Sequence, residues 1–320
     1  MNNLALKFAK ESVLTSVRIQ QLMDEKLFPD EEFENQKKKE IYEEAKYYHK
    51  NQHGLVRISK YCFPETADTQ RKCLTKHGIK LSFCEHGYDY GMADLESPTA
   101  KLSSDTKIWQ MNFSSEKAFT EWGSESRSQE AAMVMEMPLL HKASLFLDKS
   151  GITDSSLLHK NGASTILTPI LFEGVPQWVS LCNGQMKMIT WDKTCNVISM
   201  MAPYGGDGLY KEKEIIFLLL TLFAGFGGIK RRGIKDKVPL TEIHTGNWGC
   251  GNFHNNKELI YLAQIYAADV LGIDTLVFHL TDNQLMNNAI EKWKAIPDNI
   301  SFNDAISIFT DYGFKWRLNS

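Results

Sequence analysis

The 320-residue sequence lacks an excess of positive charge. It holds 36 Lys and Arg residues against 39 Asp and Glu residues, for a formal net charge of −3. A protein that binds nucleic acid through the phosphates needs a basic surface to displace counterions. The charge balance therefore predicts no nucleic-acid partner. Hydrophobic residues make up 43% of the chain and charged residues 23%, which is typical of a globular protein and argues against disorder.

Long apolar runs are missing as well. The longest, Ile215–Ile229, is shorter than the ~18–20 residues that a membrane span needs, and Lys230 and Arg231 follow it directly. We therefore expect a buried helix over Glu212–Phe226 and no membrane span. The N-terminal segment contains Glu11 and no continuous apolar stretch, so no secretory signal peptide is predicted.

The six cysteines include no C-x-x-C pair, which makes a zinc or thioredoxin-type motif a poor interpretation. So sparse a content is typical of reduced, buried thiols in a cytosolic-type compartment. His244, His254 and His279 lie ten and twenty-five residues apart and lack the short spacing of zinc ligands. We predict neither a metal nor a cofactor.

Strand and helix patterns alternate from about residue 106. Lys107–Phe113 alternates like a strand, Gln129–Phe146 has helical periodicity, and Thr275–His279 is apolar enough for a buried strand. Further strands are predicted over Ser164–Glu173, Gln177–Leu181, Met186–Thr190, Asn196–Met201 and Glu242–His244, and a further helix over Glu258–Leu271. Such alternation predicts an α/β fold.

The N-terminal part has a different pattern. Leu4, Phe8, Val13, Val17 and Leu22 recur near helical spacing. The segment 31–50 is dense in Lys and Glu, which is typical of a solvated helix face. We therefore predict a helical accessory region and loop segment over residues 1–100 and a second domain over residues 101–320.

The most informative stretch is Thr245–Phe253, TGNWGCGNF. It has three glycines within six residues, between an extended segment and a helix. Glycine lets a ligand approach the backbone closely, and the following helix N-terminus offers N–H groups to an anion, most naturally a phosphate or diphosphate. A purely structural turn remains the alternative. The stretch fits neither G-x-x-x-x-G-K-[ST] nor G-x-G-x-x-G, the P-loop and Rossmann patterns.

This segment closely resembles the "TGNWGCGAF" diphosphate loop of poly(ADP-ribose) glycohydrolases, which have a macrodomain-type fold. The resemblance continues through the next helix and strand to Asp282 and Leu285-Met286. In a second block, Gln110–Phe113 (QMNF) resembles the family's "QVDF", and Gln129 follows at the spacing of the family's Gln-Glu-Glu signature. The resemblance covers roughly residues 105–150 and 210–315. It implies a three-layer α/β/α architecture with a mixed central sheet.

The sequence departs from the family at the catalytic signature. The Gln-Glu-Glu is Gln129–Ala131 (QEA) here, so the second Glu, which is the family's catalytic acid, is missing. The family's three-glycine run corresponds to Phe119–Glu121, and the Asp of "QVDF" is Asn112. An aromatic residue that packs on adenine corresponds to Leu280. The diphosphate-binding half is thus kept and the chemical half is rewritten.

Cleavage of an ADP-ribosyl bond at the distal ribose has an oxocarbenium-like transition state and needs a carboxyl group as acid, or a carboxylate that activates water. The resemblance implies that Glu130 binds and orients that ribose. The alternative is an acid that complements the helix dipole. Glu121, Glu125 and Asp94 are candidates for the missing acid. Asp94, in the loop sequence HGYDYGMADLE, is preferred, although a solvated loop acid is the alternative for each.

The predicted ligand-binding residues come from the two blocks. They are Asn112, Phe113, Gln129, Thr245, Gly246, Asn247, Trp248, Gly249, Cys250, Gly251, Asn252, Phe253 and Leu280. For Trp248 and Phe253 a place in the core is the alternative, and Cys250 is expected to be structural because no activating His adjoins it. A second glycine-rich stretch, Tyr204–Gly208 (YGGDG), either contacts the ligand or simply reverses the chain.

The sequence therefore predicts an ADP-ribosyl glycohydrolase, an enzyme whose substrate is ADP-ribose carried by a protein. We expect it to remove mono-ADP-ribose from a side chain, because the altered acid pair and the lost glycines argue against cleavage of the polymer. The lack of a basic excess agrees, since gripping a long polymer would favour a basic groove. A non-catalytic reader of ADP-ribose is the alternative that Ala131 and Asn112 favour, and a processing enzyme acting on nucleotides or nucleic acid is a third. The chain also resembles divergent macrodomains of bacterial effectors, such as those of Legionella, which would imply delivery into a host cell.

Overall fold

The structure is a computed structural model. It describes residues 9–27, 33–63, 73–84, 105–115, 118–119, 128–152, 157–161, 164–182, 185–189, 193–238, 240–279 and 282–317. The strands are β1 (Lys10–Arg18), β2 (Leu55–Cys62), β3 (Cys73–Leu74), β4 (Lys80–Cys84), β5 (Thr106–Ser114), β6 (Leu157–Asn161), β7 (Ser164–Leu167), β8 (Ile170–Pro176), β9 (Val179–Cys182), β10 (Gln185–Met188), β11 (Thr194–Met201), β12 (Leu240–Gly246), β13 (Thr275–His279) and β14 (Ile300–Ser301). The helices are α1 (Ile19–Leu22), α2 (Gln36–His49), α3 (Gln129–Glu136), α4 (Leu139–Lys149), α5 (Glu212–Asp236), α6 (Lys257–Val270), α7 (Asn283–Ala295) and α8 (Phe302–Asp311).

The central sheet is mixed and has eight strands in the order β1-β2-β8-β11-β5-β12-β13-β4. The strands β11, β5, β12, β13 and β4 run parallel to one another. Each of β1, β2 and β8 is antiparallel to its neighbours. The parallel strands therefore all end at one edge of the sheet. In open α/β sheets, this edge is where ligands bind.

Helices cover both faces of this sheet. On β5, Trp109 and Met111 point into a core formed with α5, α6 and α8, which supply residues such as Leu222 and Phe309. The opposite core joins Val197 of β11 to α3 and α4 through residues such as Met133. The prediction of a three-layer α/β/α architecture with a mixed central sheet is confirmed.

The long apolar run forms helix α5, as predicted, and it extends to Asp236. Its residues Ile215, Leu222 and Ile229 are fully buried. Among the described residues, no helix is long and apolar enough to cross a membrane.

The prediction of a helical N-terminal region is wrong for two segments, because β1 and β2 form one side of the central sheet. Val13 and Val17 lie four residues apart, a spacing that places side chains on one face of either a helix or a strand. The exposure of β1 alternates along the strand, which is the period of a strand. The charged segment does form a helix, α2, whose first turn is capped by the side chain of Asn35.

Other predicted elements are confirmed with small differences. The predicted strand over Thr275–His279 is β13. The predicted helix over Gln129–Phe146 is two helices, α3 and α4, which are separated at Met137 and Pro138; proline has no N–H to donate within a helix.

The cysteines with described side chains are free. Cys195 and Cys250 are buried, but Cys73 is exposed, contrary to expectation.

Candidate functional site

The candidate site lies at the edge where the parallel strands end. Strand β5 lies between β11 and β12, so the segments that follow these three strands are neighbours. Helix α3 packs on one face beside the end of β5, and the glycine-rich loop follows β12. The QMNF block with Gln129 and the glycine-rich loop Thr245–Phe253 are thus brought to one edge.

Glu130 lies in the first turn of α3. Ser128 caps this helix, and its hydroxyl accepts a hydrogen bond from the N–H of Ala131 (3.0 Å). The Glu130 side chain is 3% exposed. Its carboxylate accepts a 2.9 Å hydrogen bond from the side-chain amide of Asn112. The same amide donates to the hydroxyl of Ser199 at 3.1 Å, since Ser199 of β11 lies beside Asn112 in the strand register. The kept carboxylate therefore has a defined position.

Gln129 attaches α3 to β5. Its side-chain oxygen accepts a 2.8 Å hydrogen bond from the N–H of Phe113, and its side-chain nitrogen donates to the carbonyl of Met111 at 3.2 Å. Both amide atoms of Gln129 are thus bonded to the strand, and they fix the position of α3 relative to β5. Ala131 is buried and has only a methyl group where the resembled family has a carboxylate.

The glycine-rich loop folds back on itself through backbone hydrogen bonds. The N–H of Asn255 donates to the carbonyl of Gly249, and that of His254 to the carbonyl of Gly251, at 3.1 and 2.9 Å. Within the part of the chain that the structure describes, the N–H groups of Gly251, Asn252 and Phe253 make no hydrogen bond. A Cβ built on Gly251 would meet no atom within 4 Å. Consecutive loop N–H groups without a partner are able to bind an anion.

Buried side chains support the glycine-rich loop through hydrogen bonds. Trp248 is fully buried, and its indole N–H donates to the carbonyl of Met200 at 3.0 Å. The hydroxyl of Thr245 donates to the side chain of Gln264, which itself donates to the carbonyl of Gly246 at 3.1 Å. Thr245 and Trp248 thus lie beneath the loop, where they support it.

Three further loop residues have distinct places. The hydroxyl of Tyr261 donates to the side-chain oxygen of Asn247. Burial raises the pKa of the Cys250 thiol far above its ordinary value, so Cys250 stays protonated and is no nucleophile. Gly249 has φ of +70°, and a Cβ on it would lie 2.3 Å from the Cβ of Ala202. The turn therefore requires glycine at this position.

Helix α6 begins at Lys257, four residues after Phe253, and its first turn is capped by the side chain of Asn256, which accepts from the N–H of Leu259 at 3.0 Å. The exposed residues Gly251 and Asn252 lie in the preceding loop. Within the described residues, the N–H groups of Lys257 and Glu258 in the first turn of α6 also make no hydrogen bond. The loop and the helix N-terminus therefore both offer N–H groups, and the share of the helix N-terminus in an anion site stays a prediction.

Phe253 is half-buried, and its ring lies 5.4 Å from that of Tyr204, centroid to centroid. Tyr204 follows β11 by three residues and belongs to the YGGDG stretch. It is 55% exposed. The two glycine-rich stretches are therefore in contact at the same edge of the sheet.

A histidine pair next to the loop was not predicted. The Nε2 atom of His244 lies 2.9 Å from a carboxylate oxygen of Glu242, and its Nδ1 atom lies 3.0 Å from Nε2 of His279. His279 is the register partner of Gly246, where the loop begins. The spacing of Glu242 and His244 by two residues on a strand was the available signal. Among the described residues, no cluster of three or more His, Cys, Asp or Glu side chains could hold a metal ion.

Four predicted site residues lie outside the described residues: Asp94, Glu121, Glu125 and Leu280. Their assignment as candidate acids and as the counterpart of the adenine-packing residue stays a prediction.

Comparison with known proteins gives a family match. The family model for poly(ADP-ribose) glycohydrolase (PARG), with the macro domain fold, matches residues 99–287, which is more than half of the chain. No curated protein matches the sequence.

Solved structures with a similar fold include the poly(ADP-ribose) glycohydrolase of Thermomonospora curvata bound to the inhibitor ADP-HPD. It has a TM-score of 0.52 and 16% identity, over 81% of this chain and 99% of that one. The enzyme from Deinococcus radiodurans in complex with ADP-ribose has a TM-score of 0.42 and 12% identity, over 68% of this chain and 84% of that one. At such identities, the likeness to the Thermomonospora structure concerns the fold.

Proposed function

This chain belongs to the poly(ADP-ribose) glycohydrolase family with the macrodomain fold, and from that membership we propose that it is an ADP-ribosyl glycohydrolase that removes mono-ADP-ribose from a modified protein side chain. The observation that carries the proposal is the proximity of two features. The open N–H groups of Gly251–Phe253 follow β12, and Glu130 is fixed by Asn112 at the end of the adjacent strand β5.

In this proposal the loop binds the diphosphate of ADP-ribose. Backbone N–H groups carry no net charge, yet three of them directed at one anion stabilise it well. This mode of binding agrees with a net charge of −3, because it needs no basic surface. The bound diphosphate also lowers the barrier of the reaction, because its fixed negative charge stabilises the positive charge that develops on the distal ribose.

Glu130 acts at the distal ribose. The bond from the anomeric carbon to the side-chain oxygen or nitrogen breaks, a water oxygen bonds to that carbon, and the proton from the water ends on the leaving atom. A carboxylate held by Asn112 is suited to orient the ribose hydroxyls and the water. The acid for the leaving atom is assigned, as a prediction, to Asp94, Glu121 or Glu125.

The substrate preference rests on the replaced acid. Ala131 stands where the family has the carboxylate that it uses on its polymer substrate. The other two residues of the Gln-Glu-Glu signature, Gln129 and Glu130, are kept. We therefore propose that its substrates carry single ADP-ribose units, and that their leaving groups depend less on a strong acid.

The test is release of ADP-ribose, measured by chromatography, from proteins that carry mono-ADP-ribose on Arg, Ser or acidic side chains, with poly(ADP-ribose) in parallel. We expect release from at least one mono-linkage. Glu130→Gln should lower the rate at least about 100-fold, as loss of a catalytic carboxylate does. Glu136→Gln, which changes a carboxyl group that is also buried in α3, is the matched control and should leave the rate within about threefold. Absence of release from every linkage would refute the proposal.

A reader that binds ADP-ribose without cleaving it is the second candidate, because Ala131 and Asn112 replace two acids of the family's pattern. Calorimetry with ADP-ribose separates the two. Binding without turnover supports the reader, and absence of binding excludes both candidates.

A further inference from the structure

The loop after β11, residues 202–210, is fixed against the glycine-rich loop. The side-chain amide of Asn255 donates to the carbonyl of Pro203 at 2.7 Å, and its oxygen accepts from the hydroxyl of Tyr210 at 2.9 Å. The ring of Tyr210 stacks on Trp316 with centroids 4.2 Å apart. The N–H of Trp316 donates to the carbonyl of Gly208 at 2.8 Å. Both ends of the loop are therefore attached to the body of the protein.

Tyr204 projects from this fixed loop and is 55% exposed. Its ring lies beside that of Phe253, whose N–H belongs to the open run at Gly251–Phe253. An exposed aromatic ring on a rigid backbone is a typical element of a ligand site, because it offers a large apolar surface at a small loss of entropy on binding. An anion on the open N–H groups would have the Tyr204–Phe253 pair as its neighbour.

The strand order decides which end of a bound ADP-ribose meets this pair. Tyr204 follows β11, and Ser199 on the same strand contacts Asn112, the partner of Glu130. The β11 side of the loop is thus the side of Glu130, where the proposed function places the distal ribose. The adenosine end would point the other way, toward β13.

We propose that Tyr204, whose ring lies beside that of Phe253, packs against the distal ribose and is a specificity-determining residue that distinguishes ADP-ribose from ADP. This inference rests on the proposed function for its ligand. It assigns the YGGDG stretch to the ligand site, where the sequence alone left a simple chain reversal as the alternative. A tyrosine ring has an apolar face that suits the C–H groups of a sugar ring.

Calorimetry with ADP-ribose and with ADP tests the inference, because ADP lacks the distal ribose. We expect Tyr204→Ala to weaken ADP-ribose binding about tenfold and to leave ADP binding within about twofold. Tyr204→Phe keeps the ring and should bind ADP-ribose within about threefold of the unchanged protein. Tyr48→Ala is the matched control, since Tyr48 on α2 is 56% exposed, and it should change neither affinity.

The outcomes separate this inference from the proposed function. If the unchanged protein binds ADP-ribose and Tyr204→Ala weakens both ligands equally, or neither, the assignment of Tyr204 to the distal ribose is wrong while the proposed function stands. If the unchanged protein binds neither ligand, the proposed function fails and the inference fails with it. Melting curves of the variants exclude unfolding as the cause, because an exposed ring contributes little to the fold.

Discussion

The side-chain amide of Asn112 and the carboxylate of Glu130 are joined by a 2.9 Å hydrogen bond in a buried position. A hydrogen bond to an ionised group is about twice as strong as one between neutral groups. An aspartate in place of Asn112 would instead put two carboxylates within hydrogen-bond distance. They would repel each other unless they shared a proton.

We therefore expect Asn112→Asp to lower the free energy of unfolding by about 1–3 kcal/mol at pH 7.5. The loss should be smaller at pH 5, because a shared proton removes the repulsion in the folded state. Urea denaturation at the two pH values measures this difference. Ser199→Ala, which removes only a neutral partner of Asn112, should cost the same at both. An equal loss at both pH values for Asn112→Asp would contradict the repulsion.

The missing family acid gives a gain-of-function prediction. Ala131→Glu restores the Gln-Glu-Glu pattern, and an added general acid typically contributes about 10²–10⁴-fold in rate. We expect hydrolysis of poly(ADP-ribose) to rise at least about tenfold. Ala132→Glu adds the same charge one residue later in α3, at a half-buried position, and should not raise the rate. Equal effects of the two variants would show that charge alone is responsible.

The two blocks of the site were predictable from local sequence, and their contact with each other was not. Thr245–Phe253 carries its information in consecutive residues, as does the strand over Thr275–His279. Ser199 and Tyr204, by contrast, reach the site because β11 pairs with β5, a pairing between segments far apart in the chain. No local pattern specifies which strands become neighbours.

The N-terminal error has a similar origin. Val13 and Val17 are compatible with a helix and with a strand, and the eventual partner decides between the two. For β1 that partner is β2, with Val17 paired to Val56.

The glycines of the loop are expected to respond differently to alanine. Gly249→Ala forces a Cβ to within 2.3 Å of Ala202 at a positive φ, so it should destabilise the protein by about 2 kcal/mol or more. Gly251→Ala meets open space and should leave stability within about 0.5 kcal/mol. It should nevertheless weaken ADP-ribose binding, because the methyl group occupies the surface that the phosphate needs. Thermal unfolding and calorimetry measure the two effects, and unchanged affinity in Gly251→Ala would contradict the assignment of the anion site.

The histidine pair allows a prediction about proton positions. His244 Nε2 faces a carboxylate of Glu242, so it carries the proton, and His244 Nδ1 accepts. His279 must then donate from Nε2. We expect both histidines to be Nε2–H tautomers at pH 8, as read from imidazole ¹⁵N chemical shifts. In Glu242→Ala the preference of His244 should disappear. Nδ1–H on His244 in the unchanged protein would exclude this arrangement.

A cluster of ion pairs at the opposite edge of the sheet joins Asp236 and Glu173 to Lys107, Arg232 and Arg57. This cluster predicts that the protein is sensitive to acid. Burial raises the pKa of Asp236, but the hydrogen bond from Lys107 and the charges of Lys107, Arg232 and Arg57 outweigh it, so the pKa lies below its usual value. A lowered pKa in the folded state gives stability that is present above the unfolded value of about 3.9 and is lost as the pH falls through the folded value.

We therefore expect the free energy of unfolding to fall below about pH 4, and Asp236→Asn to flatten that fall while lowering stability at pH 7. Asp298→Asn, at an exposed position, is the control and should keep the slope. Denaturant titrations from pH 7 to pH 2.5 provide the measurement. An unchanged slope in Asp236→Asn would show that other carboxylates dominate.

The position of β1, β2 and β4 in the central sheet limits how the polypeptide can be shortened. A fragment that begins at residue 101 would retain the loop, Asn112 and Glu130, yet it would contain only five of the eight strands. Its outer strands would be β8 and β13, whose residues are almost all buried in the whole chain, and unpaired edges of this kind recruit foreign strands. The ligand site and the N-terminal strands are therefore best produced as one polypeptide that includes β1.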